Sequence, residues 1–429
     1  MNLTLSSTPI DVLILSNGPG EVMSWVRPAV KALRSKLGQD CTQMRISVAL
    51  SPDPHASGQE ASILQGFPEV NRVQGPKDFW AFLLWGKTAQ NWDWHPKGVV
   101  LFLGGDQFFA IAIAKRLGYK VVTYAEWTAR WLAWVDGCGL MHGRLLPQIP
   151  KRFQSKVCVV GDLMAEAQVL EPLSKPIEAI LQLPGDAELL GMLPGSKPAK
   201  LMLGVPLGLA IANHLHTIRP QVQMVIPVAP TLTLETISRY ADPATNPCFE
   251  VVQGCKAKLV QPSQGLPYFL TEGGARVMLW TQTPAYDLLS HCKLCITTVG
   301  ANTAELASLA VPMVVLLPTQ QLDIMRAWDG IPGLLANLPL LGTGLAKLIN
   351  LFVLKRGLGL LAWPNIWAGR EIVPEWVGHL LPEDLGDRIL ALLENTTELE
   401  TMRAELKRVR GEPGAAHRLT ELVQAVLAE

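Results

Sequence analysis

The stretch Cys295-Ile-Thr-Thr-Val-Gly-Ala-Asn-Thr-Ala-Glu305, followed by Leu306-Ala-Ser-Leu-Ala-Val-Pro312-Met-Val-Val-Leu-Leu-Pro318, contains a strand, a turn, a helix and a second strand. Its first part is apolar and β-branched over the length of a strand. Gly300 permits a tight turn, and Asn302 with Glu305 fits an Asn-x-x-Glu capping box. A helix that begins at the carboxyl end of a strand directs free N–H groups into the crevice there. The stretch therefore predicts an anion site.

Glu305, in the first turn of that helix, has two possible roles. It could accept two hydrogen bonds from a ribose diol beside the anion, or it could only cap its own helix. Capping boxes are common in α/β proteins, so the stretch alone favours the cap.

Strands and helices alternate on both sides of this unit. Because β–α alternation produces parallel sheets covered by helices, the sequence predicts an α/β fold with two Rossmann-like, doubly wound domains and a ligand cleft between them. Residues 241–285 are rich in Pro, Gly and Gln and show no clear strands. The predicted divisions are 1–170, 171–370 and a C-terminal helical segment, 371–429.

Composition limits the possible functions. The chain has 429 residues, too many for one core, and its 37 basic and 37 acidic residues give no net charge, which argues against nucleic-acid binding. The pair Cys292 and Cys295 has no second Cys-x-x-Cys nearby, so a reduced, cytosolic protein without a metal is expected. No secretory signal and no uninterrupted apolar run of spanning length is evident.

Four ordered blocks in the second half resemble lipid-A-disaccharide synthase, a glycosyltransferase of the GT-B architecture. The first is similar to its Leu-Pro-Gly-Ser-Arg loop and the second to its Ser-Gly-Thr-x-x-x-Glu helix start and following strand. The third is similar to its Leu-Pro-Asn-x-x-Ala-Gly-Arg segment and the fourth to its Gly-Ala-x-x-Arg. They are Leu193-Pro-Gly-Ser-Lys197, Gly300-Ala-Asn-Thr-Ala-Glu305 with Pro312-Met-Val-Val315, Trp363-Pro-Asn-Ile-Trp-Ala-Gly-Arg370 with Glu371, and Gly414-Ala-Ala-His-Arg418.

The first half resembles that family less closely. Gly18-Pro-Gly20-Glu21 stands where the family has Gly-Glu-x-Ser-Gly-Asp, and Leu103-Gly-Gly-Asp106 stands where it has the acidic element Ile-Asp-x-Pro-Asp-Phe-Asn. Only one acidic residue of that element remains. Since this half binds the acceptor in GT-B enzymes, the acceptor is the least defined part of the resemblance.

The resemblance implies transfer of a sugar from a UDP-sugar, UDP-2,3-diacylglucosamine in the family, to a lipid or acylated-sugar phosphate acceptor. No cofactor is expected, because the UDP-sugar is a substrate. The segment 371–429 is expected to pack back on the domains or on a partner subunit, which makes a homodimer possible. The residues expected to bind the nucleotide sugar are Gly195, Ser196, Lys197, Gly300, Ala301, Asn302, Thr303, Glu305, Asn365 and Arg370.

Charge develops on the leaving diphosphate, and the two glycine loops with a helix N-terminus can meet it without a metal. Arg370 either adds a cation to the phosphates or forms a structural ion pair. Asp106 is the first candidate for a general base and could equally only cap a turn. Glu21 is the second candidate, and it could be no more than a favourable charge at a helix start.

Two apolar stretches indicate contact with lipid. Trp80, Phe82 and Trp85 lie in an aromatic run and are expected to contact the acceptor or the membrane. Gly18 and Gly20 are expected to belong to the same acceptor or membrane site. A second apolar run, 338–354, is edged by basic residues, and it could equally contact a membrane or only cover the core. These features predict a cytoplasmic protein that is peripheral at the inner face of the cell membrane.

Two other classes of function are compatible with the sequence. The reduced acidic element at Asp106 would suit a catalytically divergent protein that only binds a nucleotide sugar or a lipid. A nucleotide-sugar epimerase shares the two-domain arrangement, but it needs several acid–base carboxylates in the first half.

Overall fold

Two sheets organise the chain in the computed structural model, which describes residues 8–53, 56, 58–168, 176–320 and 359–429. Unit 1 comprises Met1–Val169 with Gly411–Glu429, and unit 2 comprises Leu170–Arg410. The apolar run 338–354 lies outside the described residues.

The sheet of unit 1 has seven parallel strands in the order β3-β2-β1-β4-β5-β6-β7. The order reverses between β1 and β4, so the loops after these strands open a crevice at their carboxyl ends. The strands are β1 (Ile10–Ser16), β2 (Met44–Leu50), β3 (Arg72–Gln74), β4 (Lys97–Phe102), β5 (Lys120–Ala125), β6 (Gly137–Leu140) and β7 (Val157–Val159).

Helices cover both faces of this sheet. Alternate residues of β1 face opposite sides, so Val12 and Ile14 enter one core while Leu13 and Leu15 enter the other. A π-helical segment, Val22–Val26, joins α1 directly to α2. The helices of unit 1 are α1 (Pro19–Glu21), α2 (Arg27–Leu37), α3 (Glu60–Gln65), α4 (Phe79–Trp85) and α5 (Gln107–Leu117), with 3₁₀ turns at Pro76–Asp78, Gly143–Gln148, Lys151–Lys156 and Leu163–Gln168.

The sheet of unit 2 has the order β10-β11-β12-β9-β8-β13-β14-β15. The six strands from β12 to β15 in this order are parallel to one another. At the other edge, β11 pairs antiparallel with both β12 and β10. The strands are β8 (Glu188–Leu193), β9 (Val222–Pro227), β10 (Ala257–Val260), β11 (Tyr268–Thr271), β12 (Arg276–Trp280), β13 (Leu294–Thr298), β14 (Met313–Pro318) and β15 (Glu375–Gly378).

The helices of unit 2 pack on both faces of its sheet. One of them, α7, is long and apolar enough to cross a membrane by length and composition alone, but most of its apolar window is buried inside the unit. The helices are α6 (Ile177–Leu181), α7 (Pro198–Ile218), α8 (Leu234–Ser238), α9 (Tyr286–Ser290), α10 (Ala301–Ser308), α11 (Trp363–Ala368), α12 (Pro382–Glu394) and α13 (Thr396–Arg410), with 3₁₀ turns at Arg239–Ala241 and Glu250–Val252.

The last helix, α14 (Ala415–Ala428), returns to unit 1. It packs on α2, β5 and β6, and Leu419 and Val423 complete the core on that face. Methyl groups on Gly137 and Gly139 would lie 3.1 Å and 3.2 Å from leucine side chains of α14, so β6 needs glycine there to let the helix approach.

The predicted fold class of two Rossmann-like, doubly wound domains is confirmed. Three details are corrected. The region 241–285 contains the antiparallel strands β10 to β12, β6 was not predicted, and the predicted helical segment 371–429 opens with strand β15.

Candidate functional site

The carboxyl ends of β8 and β13 bring two glycine turns side by side in unit 2. The strands are parallel neighbours, with Thr297 paired to Leu193 at their ends. Gly195 (φ +90°) turns the chain into α7, and Gly300 (φ +139°) turns it into α10. The predicted donor segments Gly195–Lys197 and Gly300–Thr303 are therefore adjacent, at the N-termini of two helices.

Lys200, in the first turn of α7, occupies the space between these turns and was missed in the sequence. Its Nζ donates to Val299 O at 2.5 Å. A methyl group on Gly300 would lie 2.7 Å from Nζ, and one on Gly195 would lie 2.9 Å from Lys200 Cδ. Neither turn could carry a side chain without displacing this lysine. Burial, and then the charge of Lys197, lower the pKa of Lys200 to about 8.

The predicted capping box at Asn302 and Glu305 is wrong. Gly300 is the N-cap of α10, so the helix begins two residues too early for Asn302 to cap it. Asn302 Nδ2 lies 3.5 Å from Leu193 O, in the neighbouring turn. Thr303 Oγ1 donates to Gly300 O at 2.8 Å and accepts from Trp363 N at 3.1 Å, which ties α10 to the start of α11.

Glu305 is partly buried one turn into α10, and burial raises the pKa of its carboxyl to about 7. No other described residue forms a hydrogen bond with this carboxylate. The pKa of the buried Cys295 thiol is raised mainly by burial, then by Cys292, and further by the charge of Glu305. Because no described residue bonds it, the Glu305 carboxyl could accept or donate hydrogen bonds to ligand hydroxyls. Its contact with a ribose diol stays a prediction.

Asn365 supports the chain and is not open to a ligand, contrary to the prediction. It is fully buried, and its Nδ2 donates to Val373 O at 2.9 Å and to Glu375 Oε1 at 2.7 Å. Its Oδ1 accepts from Ile372 N and Val373 N. All the bonding positions of the amide are used within the fold.

Arg370, five residues later, forms an ion pair with Glu405 on α13 at 2.7 Å. About half of its side chain is exposed. This geometry favours the structural alternative for Arg370 over the phosphate contact.

In unit 1, two carboxylates flank Gly18 after β1. A methyl group on Gly18 would lie 2.6 Å from Glu21 Oε2 and 3.0 Å from Asp53 Oδ2. Asn17 Nδ2 donates to Asp53 Oδ2 at 3.1 Å. Burial, and to a lesser extent the charge of Asp53, raise the pKa of Glu21. Asp53 follows β2 and carries no sequence signature, so only the parallel pairing of β1 and β2 brings it to Glu21.

Asp106 lies at the same edge, in the turn after β4. Its Oδ1 accepts from Phe108 N at 2.9 Å, so it is the N-cap of α5 and its side chain is exposed. Two residues before Asp106, Gly104 packs so closely that a methyl group there would lie 2.6 Å from Asn17 Oδ1. Gly20 has open space at its Cβ position.

The aromatic run divides between core and surface. Phe82 is fully buried and stacks on Trp94 with centroids 5.8 Å apart, so its predicted lipid contact is wrong. Trp80 and Trp85 are 50% and 67% exposed. Aromatic contacts join α4 to α5 and α5 to the segment before β6. The exposed large apolar side chains of these segments are together called the aromatic patch, and they are Trp80, Leu84, Trp85, Phe108, Trp131 and Trp134.

Basic side chains lie against the aromatic patch. Lys115 Nζ is 3.6 Å from the ring centroid of Trp134. Arg116 lies over Gly86, directly after Trp85. Within the described ranges, no three His, Cys, Asp or Glu side chains are grouped so that they could hold a metal ion.

Comparison with known proteins yields distant relatives. No family model matches the chain. "Lipid-A-disaccharide synthase" of Anaeromyxobacter dehalogenans is 26% identical over 73% of this chain and 70% of its own length, and that of Geobacter sulfurreducens is 25% identical over 74% and 71%.

Among solved structures, UDP-GlcNAc 2-epimerase of Neisseria meningitidis bound to UDP-GlcNAc has a TM-score of 0.48 and 12% identity over 98% of this chain and 99% of its own. UGT2 of Phytolacca americana in complex with UDP-2-fluoro-glucose and pterostilbene has a TM-score of 0.46 and 13% identity over 98% and 100%. The chain is thus similar, at low identity, to curated proteins named as lipid-A-disaccharide synthases.

Proposed function

We propose that this protein is a glycosyltransferase that moves a sugar from a UDP-sugar to a lipid or acylated-sugar phosphate acceptor, as in lipid-A-disaccharide synthase. The observation that supports it best is the pair of glycine turns after β8 and β13, each opening onto a helix N-terminus. Two sets of free backbone N–H groups side by side suit a diphosphate, which carries its charge over two neighbouring groups. Such groups also stabilise the charge that develops on UDP as it leaves.

The acceptor hydroxyl needs a base, and we assign that role to Glu21 in preference to Asp106. Asp106 already accepts a helix N–H, whereas Glu21 has a raised pKa beside Asp53. A raised pKa makes a carboxylate a stronger base, provided that it is ionised at the working pH. Asn17 would position Asp53 through its 3.1 Å hydrogen bond.

The aromatic patch would place the enzyme at a membrane. Exposed tryptophans beside lysine and arginine suit the interface of an anionic bilayer, where the rings enter the headgroup region and the cations meet phosphate. A cytoplasmic protein that is peripheral at the inner face of the cell membrane would thereby reach a lipid acceptor.

Thermal unfolding with uridine, adenosine and guanosine diphosphates tests the donor site first. We expect UDP to raise the melting temperature most, because ligands that bind the folded state stabilise it. A transfer assay with UDP-sugars and lipid acceptors follows. Glu21→Gln is expected to lower the rate about 10²–10⁴-fold, and Asp106→Asn far less. The reverse order would return the base to Asp106.

A nucleotide-sugar epimerase is the second candidate. It is favoured by one observation, the grouping of Glu21 and Asp53 around Gly18, because epimerisation moves protons with paired acid–base groups. Incubation with UDP-GlcNAc in D₂O separates the two functions. Deuterium in the recovered sugar would identify an epimerase, and its absence together with transfer to lipid would identify a transferase. Nucleotide binding with neither reaction would identify a binding protein.

A further inference from the structure

The charge of Lys200 is not explained by the packing of unit 2. Several partly buried cations of the described chain are paired with carboxylates, such as Lys293 with Glu188 at 2.5 Å and Arg45 with Asp11 at 2.7 Å. The buried Arg34 instead donates to the side chain of Asn71 and to backbone carbonyls. Lys200 contacts the Val299 carbonyl, and no carboxylate of the described ranges forms an ion pair with it. Withdrawing an ammonium group from water without a counter-charge costs free energy. An anionic ligand would supply the missing counter-charge.

We propose that Lys200, at the point where the Gly195 and Gly300 turns meet, is the cation that binds the diphosphate of the donor. This inference rests on the proposed function, since it adds a residue to the same site. Both turns lack side chains next to Nζ, so phosphate oxygens could approach the ammonium while accepting hydrogen bonds from the two helix N-termini. Lys197, which the motif selects, is exposed at the N-cap of α7.

This arrangement couples binding to protonation. The pKa of Lys200 is about 8 in the free protein, and a diphosphate beside it would raise that pKa. Binding above pH 8 must then take up a proton, so affinity should fall as the pH rises. The other ionisable groups of the two turns are Lys197 on the same loop and Glu305 on α10, whose pKa is about 7.

Calorimetric titration with UDP at about pH 7 and about pH 9 tests the coupling in the wild type, Lys200→Met and Lys258→Met. Lys258 is exposed on β10 and serves as the matched control. At the lower pH we expect Lys200→Met to bind about 10–100-fold more weakly, the effect of losing a charged hydrogen bond. The wild type and Lys258→Met should lose affinity towards pH 9 more steeply than Lys200→Met. Titrations of Glu305 and of UDP itself are common to all three proteins and cancel.

The melting temperature of Lys200→Met is the second measurement. It should stay unchanged or rise, because an unpaired, desolvated charge is removed, whereas a purely structural lysine would lower it. UDP affinity within about threefold of the wild type, or a loss of equal size at both pH values, would overturn the assignment of Lys200.

Inorganic pyrophosphate separates this proposal from the proposed function. Binding of UDP by the wild type and by Lys200→Met alike would overturn the role of Lys200 and leave the donor site standing. Binding of pyrophosphate but not UDP, lost in Lys200→Met, would uphold Lys200 as an anion ligand and overturn the nucleotide-sugar function. A wild type that binds neither would overturn both.

Discussion

At the scale of single residues, Glu305 gives the clearest dependence of stability on pH. Its carboxyl has a pKa of about 7 in the fold against an ordinary value of 4.5, so folding favours the protonated form. The contribution of Glu305 to the free energy of unfolding should therefore be largest below pH 4.5 and fall as the pH rises from there through 7. Glu305→Gln removes this loss. It should stabilise the protein by about 1–3 kcal/mol above pH 7, and by almost nothing at pH 4.5.

Denaturant unfolding of both proteins across this pH range measures the difference, and UDP titration of the same proteins measures the ligand role. A carboxylate that holds the ribose diol would make Glu305→Gln more stable but weaker in UDP binding. Equal UDP affinity would remove Glu305 from the site, and a variant less stable than the wild type at pH 8 would contradict the raised pKa.

The sequence could identify these residues only in part. Gly195, Gly300 and Glu305 follow strands whose apolar runs are unmistakable, so their position at a strand end was predictable. Lys200 belongs to the site only because it contacts Val299, about 100 positions away in the chain. Asp53 belongs to it only because it lies beside Glu21, about 30 positions away. No local pattern records such proximity.

At the scale of elements, the Pro-Asn-x-x-Ala-Gly-Arg block around α11 contains one residue that supports the fold, Asn365, and one whose possible binding role can be tested, Arg370. Asn365→Ala should lower the free energy of unfolding by about 3–5 kcal/mol, because it leaves several buried polar groups without partners. Arg370→Ala breaks only an exposed ion pair with Glu405 and should cost about 0–1 kcal/mol. Chemical denaturation measures both, and Arg370→Ala is the matched control for the block. If Arg370→Ala is stable but binds UDP more weakly, the phosphate role of Arg370 returns.

Elements differ in how clearly the sequence encodes them. β1 and β13 are buried on both faces, so most of their residues are apolar or β-branched. β6 reads Gly137-Cys-Gly-Leu140 and has little strand propensity, since its glycines serve the approach of α14. The antiparallel edge strands β10 to β12 are short and mix buried residues with partly buried or exposed ones, which leaves a weak signal between turn-forming residues.

At the scale of the whole molecule, the aromatic patch predicts association with anionic membranes. The double variant Trp80→Ser with Trp85→Ser should co-sediment less with phosphatidylglycerol vesicles and keep its melting temperature, because both side chains are at least half exposed. Ile218→Ser, at an exposed apolar position of unit 2, is the control and should sediment like the wild type. Unchanged sedimentation of the double variant would contradict the membrane role.

The packing of the C-terminal helix α14 predicts which of the two units a substitution in that helix destabilises. Glu166 accepts from Gly414 N at 2.8 Å and Ala416 N at 2.9 Å, and Arg418 Nε donates to Val160 O at 2.6 Å, so α14 is fastened to unit 1. Leu419 is buried there against β6. Leu419→Ala should cost about 2–5 kcal/mol, the usual effect of a cavity in a core.

Hydrogen exchange locates that cost. In Leu419→Ala the amides of β5 and β6 should exchange faster while those of β8 and β13 keep their protection, because the lost packing belongs to unit 1. Leu399→Ala, an equally buried leucine of α13, is the matched control and should accelerate exchange in unit 2 instead. Faster exchange in β8 and β13 on changing Leu419 would contradict the assignment of α14 to unit 1. It would mean that α14, within the nineteen residues Gly411–Glu429 that follow unit 2 in the chain, stabilises β8 and β13 of unit 2.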